Sequence, residues 1–363
     1  MKVMTILGTR PELIRLSLII PKLDRWADRH ILVHTGQNAH PRLKDIFFDE
    51  LGIRPPDYRF PPAGRSFGRQ IGSVFQKVEQ LLLRERPDRV LVLGDTNSAL
   101  CAVLAERMGI PVYHMEAGNR CYDKTVPEEI NRKLIDAVAS FNLPYTPGAR
   151  DNLLREGMEP TRIWMSGNPI YEVLNHFRER IAASDILARL GLAPRQYILV
   201  TAHRAENVDH EQRLRKIVSG LKLVAEQTKL TVVCSVHPRT KSRFQQFSLD
   251  VDHPRIRWCE PFGFFDFVHL QQYARCVITD SGTVQEESCI LGVPAVTIRQ
   301  STERPETVLC GSNVVAGLEP ERIAACVQLM MNRPSQWECP VGYRDPDVST
   351  KVTQFTLGGL HHV

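Results

Sequence analysis

Three acidic loops are the first candidates for chemistry. Gly94-Asp95-Thr96 follows the apolar run Val90–Leu93, Glu116-Ala117-Gly118-Asn119-Arg120 follows Val112–Met115, and Val126-Pro127-Glu128-Glu129-Ile130-Asn131-Arg132 comes shortly after. Each acid has an ordinary reading on its own: Asp95 as a helix cap, Glu128 and Glu129 as dipole partners behind Pro127. Three acidic loops in one domain are less easily explained that way, and convergent carboxylates are how proton transfers are staged. The second half has complementary parts. Thr201-Ala202-His203-Arg204-Ala205-Glu206-Asn207, Ser235-Val236-His237-Pro238-Arg239 and Thr279-Asp280-Ser281-Gly282-Thr283 each follow a strand-like run. Ser281-Gly282-Thr283 opens a helix, and a helix N-terminus cradles phosphate. Glu286 or Glu287, one turn in, could accept hydrogen bonds from ribose hydroxyls. Arg299–Glu306 follows a further strand, and Arg10 in Gly8-Thr9-Arg10-Pro11-Glu12 stands at another helix start, where a phosphate could dock. No G-x-G-x-x-G is present there, so no dinucleotide fingerprint is read. His203 and His237 sit in separate loops without a Cys cluster or HExxH spacing, so no metal site is expected.

The elements that must position these loops are legible from periodicity. Candidate strands are Val3–Leu7, Ile31–His34, Val90–Leu93, Val112–Met115, Ile163–Ser166, Tyr197–Thr201, Leu230–Val236, Cys276–Thr279 and Ala295–Ile298. Amphipathic stretches such as Phe67–Arg84 and Glu211–Gln227 alternate with them. Continuous apolar strands alternating with helices predict α/β domains with parallel sheets covered on both faces. The turn Ser166-Gly167-Asn168-Pro169 is the best boundary. The expected organisation is a Rossmann-like domain over 1–167 with the carboxylates, and a second, nucleotide-binding one over 168–344. A closing segment over 345–363 is expected to pack on the first domain, and the two domains to face each other across a cleft. In such folds ligands bind at the carboxyl ends of the strands.

Composition narrows the function. The chain has 363 residues, 46 basic and 41 acidic, a net charge of +5 that is too mild for a nucleic-acid binder. No apolar run approaches the ~18 residues of a membrane span, and the start lacks the features of a signal peptide. Nine dispersed cysteines without a CxxC pair read as free thiols in a reducing compartment, which makes the cytoplasm the expected location. The residues alone therefore suggest an enzyme acting on a nucleotide sugar, with the reaction left open.

The strings GTRPE (8–12), TGQ (35–37), GDT (94–96), HMEAGNR (114–120), PEEINR (127–132), GN (167–168), AHRAEN (202–207), DSGTVQEE (280–287) and RQSTERPE (299–306) resemble the non-hydrolysing UDP-N-acetylglucosamine 2-epimerases. The motifs run in order over nearly the whole chain. The resemblance implies a glycosyltransferase type B fold and interconversion of UDP-GlcNAc and UDP-ManNAc in cell-surface polysaccharide synthesis. It also implies a cytoplasmic homodimer. It assigns Asp95, Glu116 and Glu128 to acid–base work, with His203 and Arg10 at the pyrophosphate. Ser281, Gly282 and Thr283 would form the phosphate loop, Glu287 would hold the ribose, and Arg120 and Arg304 would hold the sugar diphosphate. Arg15, Asn168 and His237 complete the expected substrate-binding set.

Four positions depart from the common pattern: Arg15 for Lys, Asn38 for the His of TGQH, Asn119 for the Leu of EAGLR, and Thr283 for the second Gly of DSGG. The combination resembles the branch that epimerises UDP-2-acetamido-2,6-dideoxy-L-talose to the L-fucose sugar. The chemistry is the same in either case. The proton on C2 is not acidic, because C1 is an acetal carbon. A carboxylate removes H2 while UDP leaves C1, giving a 2-acetamidoglycal; UDP re-adds while a proton arrives on the other face. Cations and a helix dipole stabilise the departing diphosphate. No nicotinamide and no metal is required, so the expected cofactor set is none. The competing readings are a glycosyltransferase of the same fold and a hydrolysing epimerase that releases ManNAc.

Overall fold

The computed structural model describes residues 1–37, 47–62, 66–236, 238–332 and 336–359. Asn38 and His237 lie outside them. The chain divides into two units, Met1–His176 with Val341–Val363, and Phe177–Pro340. The first is built on β1 (Lys2–Leu7), β2 (Arg29–His34), β3 (Tyr58–Arg59), β4 (Arg89–Leu93), β5 (Val112–Met115) and β6 (Phe141–Leu143), in the order β3-β2-β1-β4-β5-β6, all pairings parallel. The second is built on β7 (Tyr197–Thr201), β8 (Thr231–Ser235), β9 (Ile256–Cys259), β10 (Cys276–Thr279), β11 (Ala295–Thr297) and β12 (Asn313–Val315), in the order β12-β11-β10-β7-β8-β9, again parallel.

Helices that pack these sheets or carry site residues are α1 (Arg10–Leu16), α2 (Ile19–Trp26), α3 (Phe67–Glu85), α4 (Pro127–Val138), α5 (Glu211–Thr228), α6 (Gly282–Leu291), α7 (Pro305–Leu309), α8 (Pro320–Asn332) and α9 (Val348–Gly358). Helices cover both faces of the second sheet, and this explains the unbroken apolar strands. Along β7, Ile198 and Val200 pack with Ile217 and Leu221 of α5 and Ile323 and Val327 of α8. Their neighbours Tyr197 and Leu199 pack on the opposite face with Leu270 and Val284. In the first unit, α3 buries Val74, Val78, Leu81 and Leu82, a helical-period stripe, among Met4, Ile6, Val90 and Val92.

The closing helix α9 belongs to the first unit. Lys22 Nζ of α2 donates to Ser349 Oγ and Thr350 Oγ1, each at 2.6 Å, and the Phe355 ring stacks on Trp164 at 4.5 Å. Residues 168–176 and 341–344 group with this unit too: Asn168 N donates to Gly342 O at 2.8 Å, and the Glu172 carboxylate accepts from Ser349 N at 2.7 Å. The expected strand Ile163–Ser166 is reduced to a single bridge with Asn142. It follows the edge of β6, and Trp164 N donates to Asn142 O at 2.9 Å and Ser166 N to Pro144 O at 3.0 Å. Pro144 has no N–H to return a bond. The edge strands β3, β6, β9 and β12 were not expected; they are only partly buried and carry no continuous apolar run.

Both sheets have a point where strand order reverses. The first sheet grows from β1 through β2 to β3, then resumes with β4 on the other side of β1. The second grows from β7 through β8 to β9, then resumes with β10 on the other side of β7. Ligands bind outside the carboxyl ends of strands at such points. No helix among the described residues is long and apolar enough to cross a membrane.

Candidate active site

In the first unit, the loops after β1, β2 and β4 interlock at Gly8. A Cβ there would lie 2.1 Å from Ser98 Oγ and 2.3 Å from Thr35 Oγ1, so no other residue fits. The Thr35 and Ser98 hydroxyls are 2.6 Å apart, and Gln37 Oε1 accepts from Ser98 N at 3.2 Å and Ser98 Oγ at 3.1 Å. Glu12 ties the β1 and β4 loops together. Its carboxylate accepts from Gly8 N at 3.0 Å, from Thr9 N and Thr9 Oγ1 at 2.7 Å, and from Thr96 Oγ1 at 3.0 Å. Burial pushes this carboxyl up to about 7, against the pull of those hydrogen bonds. The sequence suggested a phosphate docking at this helix start beside Arg10. The structure instead fills the Gly8 and Thr9 N–H groups with the chain's own carboxylate. Arg10 lies 5.4 Å from the centre of the Phe47 ring.

The three expected acids stand around this scaffold. The Asp95 carboxylate pairs with the Arg132 guanidinium of α4, and Asn131 Nδ2 donates to Asp95 O at 3.0 Å. Glu116, at the end of β5, is buried and pairs with the equally buried Arg15 of α1. Its backbone has a φ of +65°, a left-handed conformation rare for a residue with a side chain. Glu128 is half-buried in the first turn of α4. Its neighbour Glu129 is a brace, accepting from Arg132 Nη1 at 2.7 Å, Cys121 N at 3.0 Å and Tyr122 N at 3.2 Å. Asp95 and Glu116 are thus each held by a guanidinium, with strand ends β4 and β5 supplying their backbones.

Two residues expected to bind substrate are committed to the framework instead. Arg120 is fully buried, with Nη1 2.7 Å from Asp136 Oδ2 and its Nε and Nη2 donating to Glu156 at 2.9 and 2.6 Å. Asp136 also accepts from Gly118 N at 3.1 Å and lies 2.9 Å from His114 Nδ1, and the other His114 nitrogen donates to Gly94 O at 2.8 Å. Burial works to raise the Asp136 carboxyl, but His114 and Arg120 outweigh it and hold it below the usual range. This chain joins the Gly94 turn to the Glu116-Ala117-Gly118 turn. Asn168 is wholly buried, and its Oδ1 accepts from Ile170 N at 3.1 Å as a turn cap.

In the second unit, the loops after β7, β10 and β11 are stitched by Asp280. Its carboxylate accepts from His203 N at 3.0 Å, Arg204 N at 2.9 Å and Asn207 Nδ2 at 3.1 Å; Asn207 Nδ2 also reaches Ile298 O at 3.0 Å. Glu303 accepts from Arg204 Nη2 at 2.9 Å and pairs with Arg299. The His203 ring sits above this knot, one third exposed, with Nδ1 3.5 Å from Asp280 Oδ1. Helix α6 opens at Ser281, whose side chain makes no capping bond, and its first turn carries no acid. A Cβ on Gly282 would lie 2.8 Å from Glu303 Oε1. Thr283 is half-buried and Glu287 is buried one turn in. Arg304 is buried and pairs with Glu286 of α6, and its N–H donates to Thr302 Oγ1 at 3.0 Å.

The residues that organise both sites were missed at the sequence level. Glu12, His114, Asp136, Arg132, Asp280 and Glu303 all lie inside or just beyond the motifs, but nothing in their spacing distinguishes a brace from a ligand. The described residues contain no group of three or more His, Cys, Asp or Glu side chains placed to hold a metal ion.

The sequence profile of UDP-N-acetylglucosamine 2-epimerase matches residues 22–356. The chain is 41% identical over 350 residues to a UDP-N-acetylglucosamine 2-epimerase of Methanocaldococcus jannaschii, covering 94% of this chain and 95% of that one. It is 36% identical over 360 residues to a UDP-2,3-diacetamido-2,3-dideoxy-D-glucuronate 2-epimerase of Pseudomonas aeruginosa, covering 98% and 99%. The crystal structure of the Methanocaldococcus jannaschii UDP-GlcNAc 2-epimerase, in complex with UDP-GlcNAc and UDP, matches with a TM-score of 0.93 at 38% identity, over 98% of this chain and 99% of that one. With two six-stranded parallel sheets, acids at one reversal point and an uncapped helix N-terminus at the other, this chain belongs to the UDP-N-acetylglucosamine 2-epimerase family.

Proposed function

We propose that the protein inverts C2 of a UDP-2-acetamido sugar without hydrolysis, by elimination of UDP and its re-addition. The observation that carries this reading is the contrast between the two reversal points. The second unit offers the N-terminus of α6, free of acids in its first turn, beside His203, which suits a diphosphate. The first offers Asp95 and Glu116 after two strand ends and Glu128 in the first turn of α4, which suits proton transfer at carbon. In this assignment one carboxylate takes H2 as the C1–O bond to UDP breaks. A second acid on the opposite face delivers the proton when UDP returns. Arg15 and Arg132 pair with Glu116 and Asp95 and aim them. Glu287 holds the ribose, and Ser281, Gly282, Thr283 and Arg304 frame the phosphates. The elimination transfers no hydride and needs no electron sink, so turnover is expected to persist after dialysis against a chelator.

Reaction in D₂O followed by proton NMR tests the route. Deuterium at C2 of the product, with no free aminosugar released, is the expected outcome. Full retention of hydrogen at C2, while the carboxylates have time to exchange, would point to a different mechanism. Accumulation of free sugar and UDP would make the enzyme hydrolysing.

The sugar is a separate question. The Pseudomonas aeruginosa relative acts on a sugar modified beyond UDP-GlcNAc, according to its name. Asn119 and Thr283 stand where the common pattern has Leu and Gly, and they favour the 2-acetamido-2,6-dideoxy-L-talose and L-fucose pair. Side-by-side turnover of that pair and of UDP-GlcNAc decides, and much faster turnover of UDP-GlcNAc would exclude the 6-deoxy reading.

A further inference from the structure

No disulfide joins any of the nine cysteines, but three meet in the second unit: Cys289 and Cys310 have their sulfurs set against each other, and Cys339 donates to Cys289 O at 3.5 Å. Cys289, near the end of α6, and Cys310, the residue that ends α7, have their sulfurs 3.8 Å apart. Cys289 is buried and Cys310 is partly open. Around Cys310, Ser312 Oγ lies 3.3 Å from the sulfur and Thr307 O 3.4 Å. The hydrogen bond with the Cys289 thiol, reinforced by Ser312, holds the Cys310 thiol below its ordinary range. Burial raises Cys101, Cys234 and Cys276, which makes them poor nucleophiles, and the bond with Cys310 raises Cys289, so Cys310 is the thiol of the pair that ionises first. A partly open, easily ionised thiol beside a buried partner is the arrangement that a two-step thiol oxidation requires.

We propose that Cys310 and Cys289 form an oxidation site for hydroperoxides, closing to a reversible disulfide that braces α6 against α7. The Cys310 thiolate attacks the peroxide, and the O–O bond breaks. The distal oxygen leaves with a proton as water or alcohol, and Cys310 becomes a sulfenic acid. Cys289 then gives up its proton and attacks that sulfur, the S–O bond breaks, and the hydroxyl leaves as water. Two thiols and one hydroperoxide thus give one disulfide, one alcohol (or water) and one water. The sulfurs must close from 3.8 Å to a bond of about 2.05 Å, which draws the end of α6 and the end of α7 together. That movement reaches the nucleotide framework. Helix α6 begins at Ser281 and Gly282, and α7 follows Arg304, with the Glu303 carboxylate already 2.8 Å from where a Gly282 Cβ would lie.

The reduced protein is treated with one equivalent of hydrogen peroxide, alkylated and mapped without reduction. The expected result is a Cys289–Cys310 cross-linked peptide that forms ahead of any oxidation at the partly open Cys121, Cys259, Cys326 and Cys339, and that dithiothreitol reverses. Its rate levels off below the pH range of an ordinary thiol, about 8.5. Cys310→Ser abolishes the product. Cys289→Ser, or Cys289→Ala if the serine variant folds poorly, strands Cys310 as a sulfenic acid that a cyclic diketone traps. Oxidation spread evenly over the partly open thiols, or no cross-linked peptide, would overturn the proposal. The link to the nucleotide rests on the UDP role given to this unit. By calorimetry the oxidised protein is expected to bind UDP about 5-fold or more weakly, the scale of a coupling between linked sites. Equal affinity in both redox forms overturns that link, whereas a reduced protein that does not bind UDP overturns the functional reading and leaves the thiol chemistry standing.

Discussion

Each unit starts a helix at the point where its strand order reverses, and the two helices are finished in opposite ways. At α1 the chain brings its own anion: Glu12 turns back and takes the N–H groups of Gly8 and Thr9. At α6 the Ser281 side chain makes no cap and no acid stands in the first turn; of the carboxylates close by, Asp280 is turned to the His203–Asn207 loop and Glu303 is paired with Arg204 and Arg299. The same dipole, about half a charge at each N-terminus, therefore meets a side chain of the chain itself in one unit and no side-chain cap in the other. The lesson is that fold symmetry does not divide labour; the side chain three residues into the helix does.

The sharpest way to break this comparison is with the acids. Asp95→Asn, Glu116→Gln and Glu128→Gln are each expected to lower turnover by ~10²–10⁴ while UDP affinity, measured by calorimetry, stays within a factor of about three. A parallel loss of UDP affinity would show that the first unit binds nucleotide as well. Next in size is the buried framework. Arg120→Met leaves Asp136 and Glu156 without their guanidinium and is expected to destabilise the fold by about 3–5 kcal/mol in urea unfolding. Wild-type stability with weakened substrate binding would return Arg120 to the ligand set.

Glu12 sharpens the comparison through pH. Its carboxyl is raised from 4.5 to about 7 in the folded protein. Between those values the folded chain holds a proton that the unfolded chain has released, so stability falls as pH rises through that window and levels off above about 7. The 2.5-unit shift corresponds to about 3 kcal/mol. Glu12→Gln removes this contribution. Unfolding free energies at pH 5 and pH 7.5 should fall in the wild type relative to the variant, and parallel curves would show that Glu12 titrates normally. The smallest effect belongs to His203. His203→Ala is expected to weaken UDP by ~1–3 kcal/mol, the scale of a hydrogen bond to a charged group, with the melting temperature unchanged. Unaltered affinity removes His203 from the diphosphate site.

The long strands were read correctly because burial on both faces writes itself as a continuous apolar run, as in Val3–Leu7 and Tyr197–Thr201. The edge strands β3, β6, β9 and β12 were not, since they are only partly buried and write no continuous apolar run, whereas the equally short inner strands β5, β10 and β11 are wholly buried. Asp95, Glu116 and the Ser281 turn were singled out by chemical type after strand-like runs, and the structure places each just past a strand end. Arg120 and Asn168 were read as ligands because a motif records that a polar residue is present, not which way it faces.

Sequence alone determined the α/β alternation and which strand-end loops carry chemically capable residues, because these follow from local period and residue type. Only the tertiary structure decided that Glu12 fills one helix start, that Asp136 and Asp280 are braces, and that Cys289 meets Cys310. Those roles depend on which loops the sheets bring together across tens of residues of chain, and an acid or a thiol looks the same in sequence whether its partner is the framework, a ligand or another thiol.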